Sequence, residues 1–270
     1  MNASYVHGYD PRERTRLEDQ ASTLVELLHA DTAFPPGSLV LEAGCGVGAQ
    51  TVTLAAQSPG ARIVALEISA TYLAEARRKV TKAGFGNVRF LRGDTFTLPC
   101  PPRSFDHVFV CFVLEHLPDP AAALEALGRM LKPGGSITVI EGDHGSAYFH
   151  PESASARRAI ECQIELQARA GGNARIGRQL YPLLTRSGFR DCRVTPRMVY
   201  VDAGRPALAE GFTRNTFTAM IEGVRAGALE AGLVTAADFD LGIRDLYRTA
   251  REDGVFCYTF FKGVATNPAR

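Results

Sequence analysis

One stretch constrains this chain more than any other. Leu41-Glu42-Ala43-Gly44-Cys45-Gly46-Val47-Gly48-Ala49 runs an apolar strand straight into three glycines at alternate positions, and then into a helical pattern. Glycine is needed where the chain turns sharply and where a ligand must lie against bare main chain. The helix that follows starts with unpaired N–H groups, which suit an anionic part of such a ligand. Gly44, Gly46 and Ala49 also satisfy the alanine-ended dinucleotide fingerprint, and Glu67, ending the next strand, suits ribose hydroxyls under either reading. The turn points to a nucleoside-containing cofactor without deciding which one.

Around this turn the pattern alternates. Short apolar runs predict strands over Ser38–Ala43, Arg62–Glu67, Val88–Arg92, His107–Val113 and Ser136–Glu141. Between them lie helical patterns over Ala49–Gln57, Ala70–Ala83 and Asp119–Leu131, punctuated by Gly, Pro or Asp. Such alternation implies βαβ units and a parallel sheet covered on both faces. Ahead of it, Asp10-Pro11-Arg12-Glu13 reads as a capped helix start, and Leu17, Ala21, Leu24, Val25 and Leu28 recur at helical spacing. After Gly145 the rhythm changes: a helical pattern over 146–175, a helix near Gly177–Ser187, a strand over Cys192–Val201, a mostly helical stretch over Pro206–Arg251 and a last strand over Val255–Val264. The segments 146–175 and 203–253 stand outside the alternation and are expected to cap the carboxyl edge of the sheet, where open α/β sheets bind ligands.

Composition removes several classes. With 30 basic and 29 acidic residues the formal charge is only +1, and no Lys/Arg run forms the basic face expected of a nucleic-acid binder. No apolar run approaches the length of a membrane span, and Met1–Tyr9 lacks the basic and apolar regions of a signal peptide. The six cysteines are scattered without a Cys-x-x-Cys pair, so reduced thiols in a cytoplasmic enzyme are expected, with neither a disulfide framework nor a metal site.

The order of motifs adds more. Glu42 to Gly48 resembles the first motif of the class I S-adenosylmethionine-dependent methyltransferases, with its acidic residue two places before the first glycine. Glu67-Ile68 resembles the second motif, and Gly93-Asp94-Thr95 the acidic position after the third strand. Phe105-Asp106-His107-Val108, continuing through Leu114-Glu115-His116-Leu117, resembles the fourth-strand motif. Leu131-Lys132-Pro133-Gly134-Gly135 resembles the turn before the fifth strand, and Gly188-Phe189 that before the sixth. The resemblance implies a Rossmann-like α/β fold with a seven-stranded sheet whose last strand is inserted antiparallel, and S-adenosyl-L-methionine as cofactor. A nicotinamide enzyme would not be expected to end in such a strand.

Residue by residue, the resemblance implies that the backbone at Gly44 and Gly46 passes the methionine part of the cofactor, with Glu42 also among the cofactor-binding residues. Glu67 would accept from both ribose hydroxyls, with Ile68 against adenine. Asp94 would bond the adenine amino group beside Thr95, and Cys111 and Phe112 would lie near the sulfonium. Residues 1–270 read as a single methyltransferase domain, with a lid helix over 1–33, the cofactor-binding core over 38–145 and cap insertions over 146–175 and 203–253. Tyr9 and Gln20 are candidate cofactor contacts from the lid.

The sulfonium supplies the electrophile, so the protein must align the acceptor and exclude water, with a base needed only if the acceptor has a proton to lose. His116 after the fourth strand and His144 after the fifth are the candidate bases, since histidine titrates near working pH. Glu141, Asp143, Tyr148 and His150 are weaker candidates, and Glu141-Gly142-Asp143-His144-Gly145 reads as a loop flexible at both glycines. The neutral charge and small apolar cap favour a small-molecule acceptor, with no nucleic-acid or membrane partner, and leave a homodimer open. The alternatives are a non-catalytic cofactor-binding or regulatory subunit and, further off, a nicotinamide-dependent enzyme.

Overall fold

A computed structural model of the chain describes residues 23–268. The expected helix start at Asp10, the Leu17 and Ala21 stripe and the candidate contacts Tyr9 and Gln20 lie outside the described residues. Seven strands form one sheet: β1 (Leu39–Ala43), β2 (Arg62–Glu67), β3 (Val88–Arg92), β4 (Phe105–Cys111), β5 (Leu131–His150), β6 (Arg190–Val201) and β7 (Val255–Thr266). Their spatial order is β3-β2-β1-β4-β5-β7-β6. The first five pair in parallel, and β7 is antiparallel to both of its neighbours. This is the Rossmann-like seven-stranded sheet. Strand order reverses between β1 and β4, and the carboxyl ends of those strands border a crevice suited to a ligand.

Helices cover both faces: α1 (23–29), α2 (Ala49–Gln57), α3 (Ala70–Lys82), α4 (Pro120–Met130), α5 (Ala154–Arg169) and α6 (Leu180–Arg186). Local chemistry sets several starts. Ser69 accepts from the N–H of Tyr72 ahead of α3, Ser153 from that of Ala156 ahead of α5, and Asp119 from that of Ala122 with Pro120 at the first position of α4. Alternation along β4 divides the core: Val108 and Val110 pack with Leu124 and Leu127 of α4, whereas Phe109 and Cys111 lie in the cluster that holds Leu24 and Leu28 of α1. None of the helices among the described residues is long and apolar enough to cross a membrane.

The second late segment folds as helix α7 (Pro206–Leu208), a π-helical stretch over Ala209–Thr218, then α8 (Ala219–Gly223), α9 (Arg225–Glu230) and α10 (Ala236–Arg248). Phe212 and Phe217 of the π-helix meet Phe256, Tyr258 and, through Phe212, Phe260 of β7 in one buried aromatic cluster. Helix α10 lies close on α5, where a Cβ on Gly242 would come 2.4 Å from the Ser155 carbonyl.

The largest departure from the sequence reading is β5. Expected over Ser136–Glu141, it runs to His150 and stays paired with β7 as far as His150↔Val255, with a register shift between Asp143 and Tyr148. The expected flexible loop at 141–145 is therefore a bulge in a strand. Its glycines serve close approach rather than hinge motion. A Cβ on Gly142 would meet Tyr258 Oη at 2.3 Å, and one on Gly145 would meet Arg178 Nη2 at 2.7 Å. The first part of 146–175, read as helical, belongs to this strand too.

A buried lysine fixes α1. Lys262 of β7 donates to the Leu28 carbonyl (3.3 Å), to Asp31 Oδ1 (2.6 Å) and to Thr32 Oγ1 (2.6 Å). Its ammonium thus meets the carboxyl end of α1, where a cation is favoured. Beside it His29 is buried against Phe109. Burial, helped by the Lys262 ammonium, pushes the imidazole down to about 4, against smaller opposing effects of Gln50 and Asp31. The unfolded chain then takes up this proton near its ordinary value while the folded chain does not. Stability is complete above that value and is lost as pH falls towards about 4. Between pH 7 and 5 this histidine should cost about 2 kcal/mol. Urea unfolding at the two pH values should show the parent losing about 2 kcal/mol more than His29→Leu, a difference in which the titration of the other groups cancels.

Candidate functional site

The cleft begins at the glycine turn. Gly44, Gly46 and Gly48 all adopt left-handed backbone, at φ 75°, 52° and 78°. A Cβ on Gly44 would lie 2.5 Å from Val113 Cγ2, and one on Gly48 would lie 2.8 Å from Ala76. These two positions are tight against protein. Gly46 differs, for among the described residues no atom beyond its chain neighbours stands within 4 Å of where its Cβ would be, so its backbone faces open space.

Carboxylates frame that space. Glu67, at the end of β2, accepts from the Gly46 N–H through Oε2 (3.0 Å) and from the Ser69 N–H through Oε1 (2.8 Å). Each oxygen keeps a lone pair for a further donor. Glu42 is buried on β1, and among the described residues its Oε2 has no hydrogen-bond partner. Burial, joined by the Glu67 charge and opposed by Thr51, pushes its carboxyl up to about 7. One step along the sheet edge, the Gly93 N–H donates to the Glu67 carbonyl (3.1 Å) and Arg92 Nε to the Ile68 carbonyl (3.3 Å). Asp94 Oδ1 accepts from the Phe96 N–H at 2.9 Å, and Thr95 beside it is half-buried. Ile68 leaves 54 % of its surface exposed at this edge. Together these residues form an apolar platform between carboxylates, the composition a nucleoside requires. An open backbone cradle, an orphaned carboxyl oxygen and spare acceptors fit S-adenosylmethionine.

On the other side of the crevice, Cys111 ends β4 buried, and burial raises its thiol far above the ordinary range, with Glu141, Glu42 and Glu115 adding to the effect. It is no nucleophile at neutral pH. Phe112 takes left-handed backbone at φ 57° and sets its ring 5.5 Å from that of Phe260. Glu141 sends its carboxyl back to this turn, accepting from the N–H groups of Val113 (3.0 Å) and Leu114 (2.7 Å). His116 is half-buried with Nε2 3.7 Å from Glu115 Oε1. The Glu115 side chain and carbonyl both accept from Gln167 of α5, which also accepts from Gln163.

His144 stands in the β5 bulge beneath the cap, with only 6 % of its surface exposed. Its Nδ1 is 2.7 Å from Tyr258 Oη, and its ring lies edge-on to Phe217. Asp143, expected beside it at a pocket edge, is instead held by Arg178 in a two-point ion pair at 2.6 and 2.8 Å. Tyr148 is half exposed and His150 exposed, near the end of the strand. Thus Glu42, Gly44, Gly46, Glu67, Ile68, Asp94 and Thr95 line one edge, Cys111, Phe112 and His116 follow β4, and His144 sits under the cap. Tyr258, Gln163, Gln167 and Val113 escaped the sequence reading. Gln163 and Gln167, four apart on the buried face of α5, were the detectable signal.

Residues 41–139 match the family described as methyltransferase domain. The chain is 31% identical over 175 residues to a demethylmenaquinone methyltransferase of Thermus thermophilus, covering 54% of this chain and 77% of that protein. It is 34% identical over 190 residues to an uncharacterized 37.1 kDa protein in transposon TN4556 of Streptomyces fradiae, covering 70% of this chain and 54% of that one. It is 35% identical over 106 residues to a demethylmenaquinone methyltransferase of Listeria monocytogenes, covering 39% of this chain and 45% of the relative. The matches to the last two proteins span about half of their length. Among solved structures, a phosphoethanolamine N-methyltransferase of Haemonchus contortus in complex with S-adenosylhomocysteine superposes with a TM-score of 0.58 at 18% identity, over 93% of this chain and 52% of that one. The [4+2]-cyclase SpnF superposes at 0.54 with 19% identity, over 94% of this chain and 82% of its own. At such identity these two show the shared fold alone.

The glycine geometry makes a prediction of its own. Gly44→Ala combines left-handed strain with overpacking against Val113 and should lose about 3 kcal/mol. Gly46→Ala carries the strain alone and should lose about 1 kcal/mol. Thermal unfolding of the two variants beside the parent measures the difference.

Proposed function

The chain belongs to the class I S-adenosylmethionine-dependent methyltransferases, and from this membership we propose that it transfers a methyl group to a small organic acceptor held between the ends of β4 and β5 and the helical cap. The observation that carries the cofactor half is the open backbone at Gly46 with Glu67 bonded to its N–H. Bound there, S-adenosylmethionine supplies a methyl group already activated on a sulfonium.

This chain's residues supply position. The backbone at Gly44 and Gly46, with Glu42 beneath, is suited to the methionine part, and the spare acceptors of Glu67 to the ribose hydroxyls. Ile68, Asp94 and Thr95 suit the adenine ring and its amino group, and Cys111 and Phe112 the reacting end. The acceptor half draws support from the buried His144–Tyr258 pair, because polar side chains under an apolar cap serve best when they orient a bound group. His144 can take a proton from a hydroxyl or acidic carbon as that atom attacks, and Tyr258 fixes the imidazole in place. His116 lies beside Glu115 on the turn after β4 and is the second candidate. Segments 146–175 and 203–253 are read as the acceptor's enclosure. Small molecules fit such an enclosed site better than a polymer does.

Calorimetry should find S-adenosylmethionine and S-adenosylhomocysteine bound and NAD not bound. Glu67→Ala should weaken binding by about 1.5–3 kcal/mol, the range for hydrogen bonds to a charged group. Tight NAD binding with neither sulfur nucleoside would refute the cofactor. Binding without turnover of any labelled acceptor from cell extract would favour a non-catalytic subunit.

If a proton must be removed, His144→Ala should slow single-turnover methyl transfer by about 10²- to 10⁴-fold while leaving cofactor affinity intact, and His116→Ala should do less. Parental rates in both variants would leave positioning as the whole of catalysis, as a neutral amine acceptor would allow.

A further inference from the structure

The turn after β4 is held in an unfavourable shape. Phe112 keeps a full side chain at φ 57°, and Val113 follows at φ −118°, ψ −47° before the short 3-10 turn Leu114–His116. Left-handed backbone at a residue with a Cβ costs about 1–2 kcal/mol, so the turn persists only if its surroundings fix it. The first N–H groups of a helical turn also lack partners within it.

Glu141 answers both demands. Its Oε1 accepts from the N–H of Val113 at 3.0 Å and of Leu114 at 2.7 Å. The side chain is fully buried, and among the described residues Oε2 has no hydrogen-bond partner. Burial first, and the Glu115 charge second, raise this carboxyl well above the usual range, against the backbone N–H groups. Ile137 and Val139 pack among the α4 and α6 side chains, and alternation along β5 turns Glu141 to that same face, away from Tyr258 and the cap. It is therefore poorly aimed to act as the acceptor's base.

The turn it holds bears directly on the cleft. Val113 Cγ2 occupies the space a Gly44 Cβ would need, and the Phe112 ring rests against Phe260. We propose that Glu141 is a positioning residue for the cofactor: it clamps residues 112–114 so that Val113 stays seated on Gly44, and the shape of the glycine cradle is set from the fifth strand. The proposal rests on the cofactor reading given above, since the clamp serves binding only if the ligand lies along Gly44 and Gly46.

Glutamine keeps the shape and one acceptor oxygen, aspartate falls one methylene short, and alanine removes the clamp. Parent, Glu141→Gln, Glu141→Asp and Glu141→Ala are compared by calorimetry with S-adenosylhomocysteine, by thermal unfolding and by hydrogen exchange at Val113 and Leu114 in the ligand-free protein. The Gln variant should bind within about threefold of the parent, and the Asp and Ala variants should lose about tenfold or more. Exchange at the two amides should quicken by about tenfold in Asp and Ala and stay near parental in Gln. A lower unfolding temperature with unchanged affinity would mark a purely structural clamp and overturn the proposal. A Gln variant as weak as Ala would overturn it too. If the Ala variant fails to fold, the Asp variant decides. A parent that binds no S-adenosylhomocysteine refutes the cofactor reading and this role together, and exchange at the two amides then shows whether the clamp itself exists.

Discussion

Everything in the crevice depends on one close approach, that of Val113 to the bare backbone of Gly44. Strand order reverses between β1 and β4, so the chain leaving each strand turns away from the other and opens a gap. A gap binds a ligand only if its walls keep a fixed separation. Here the walls touch at their base: a valine fills the place where any larger residue than glycine would put a methyl group. Gly44 takes left-handed backbone at no steric cost, and left-handed backbone at Phe112 is the local cost of bringing the two turns together. The strain at Phe112 is offset by the carboxyl of Glu141, while the Gly44 turn is held by the bonds of Gly44 and Cys45 to the Leu66 carbonyl.

The parallel half of the sheet was legible in the sequence because its signals are local. Arg62–Glu67, Val88–Arg92 and Ala49–Gln57 fall where apolar runs and punctuation put them. Three alternate glycines after a strand demand left-handed backbone, and all three have it. Glu67, Ile68 and Asp94 come together because β2 and β3 are neighbours in register, from Ile63↔Val88 to Glu67↔Arg92. What could not be read depends on partners far along the chain. His144 meets Tyr258 across 114 residues and Lys262 meets Asp31 across 231. The pattern of β5 past Glu141, rich in Gly and His, reads as a loop until β7 is seen to lie against it. Glu141 looked like a pocket carboxylate because a sequence gives residue type and not direction.

Beneath the cap the balance is different. Phe212, Phe217, Phe256, Tyr258 and Phe260 are almost wholly buried, and such aromatic packing is strongly favourable. Among these rings stands a histidine, and the hydroxyls of Thr213 and Thr218 on the π-helix are buried without hydrogen-bond partners among the described residues. Unsatisfied buried hydroxyls destabilise a fold, by about 1–3 kcal/mol each. Helices of π form concentrate at functional sites, and this one sits directly over the His144–Tyr258 pair.

The length of β5 has a consequence for how such a protein can change. Strand β5 runs on, through the bulge between Asp143 and Tyr148, from the cofactor edge at Cys111↔Ile140 to His150↔Val255 beneath the late helices. Cap and core therefore share a beam rather than a hinge. A cap inserted through a loop can be exchanged between relatives as a cassette. Here a transplanted cap would have to bring its own half of β5 and β7 in matching register, and a slip of one residue would reverse every side chain on the shared floor. Change beneath the late helices is thereby channelled into point substitutions on the π-helix and α5, the two elements that can vary without breaking the beam.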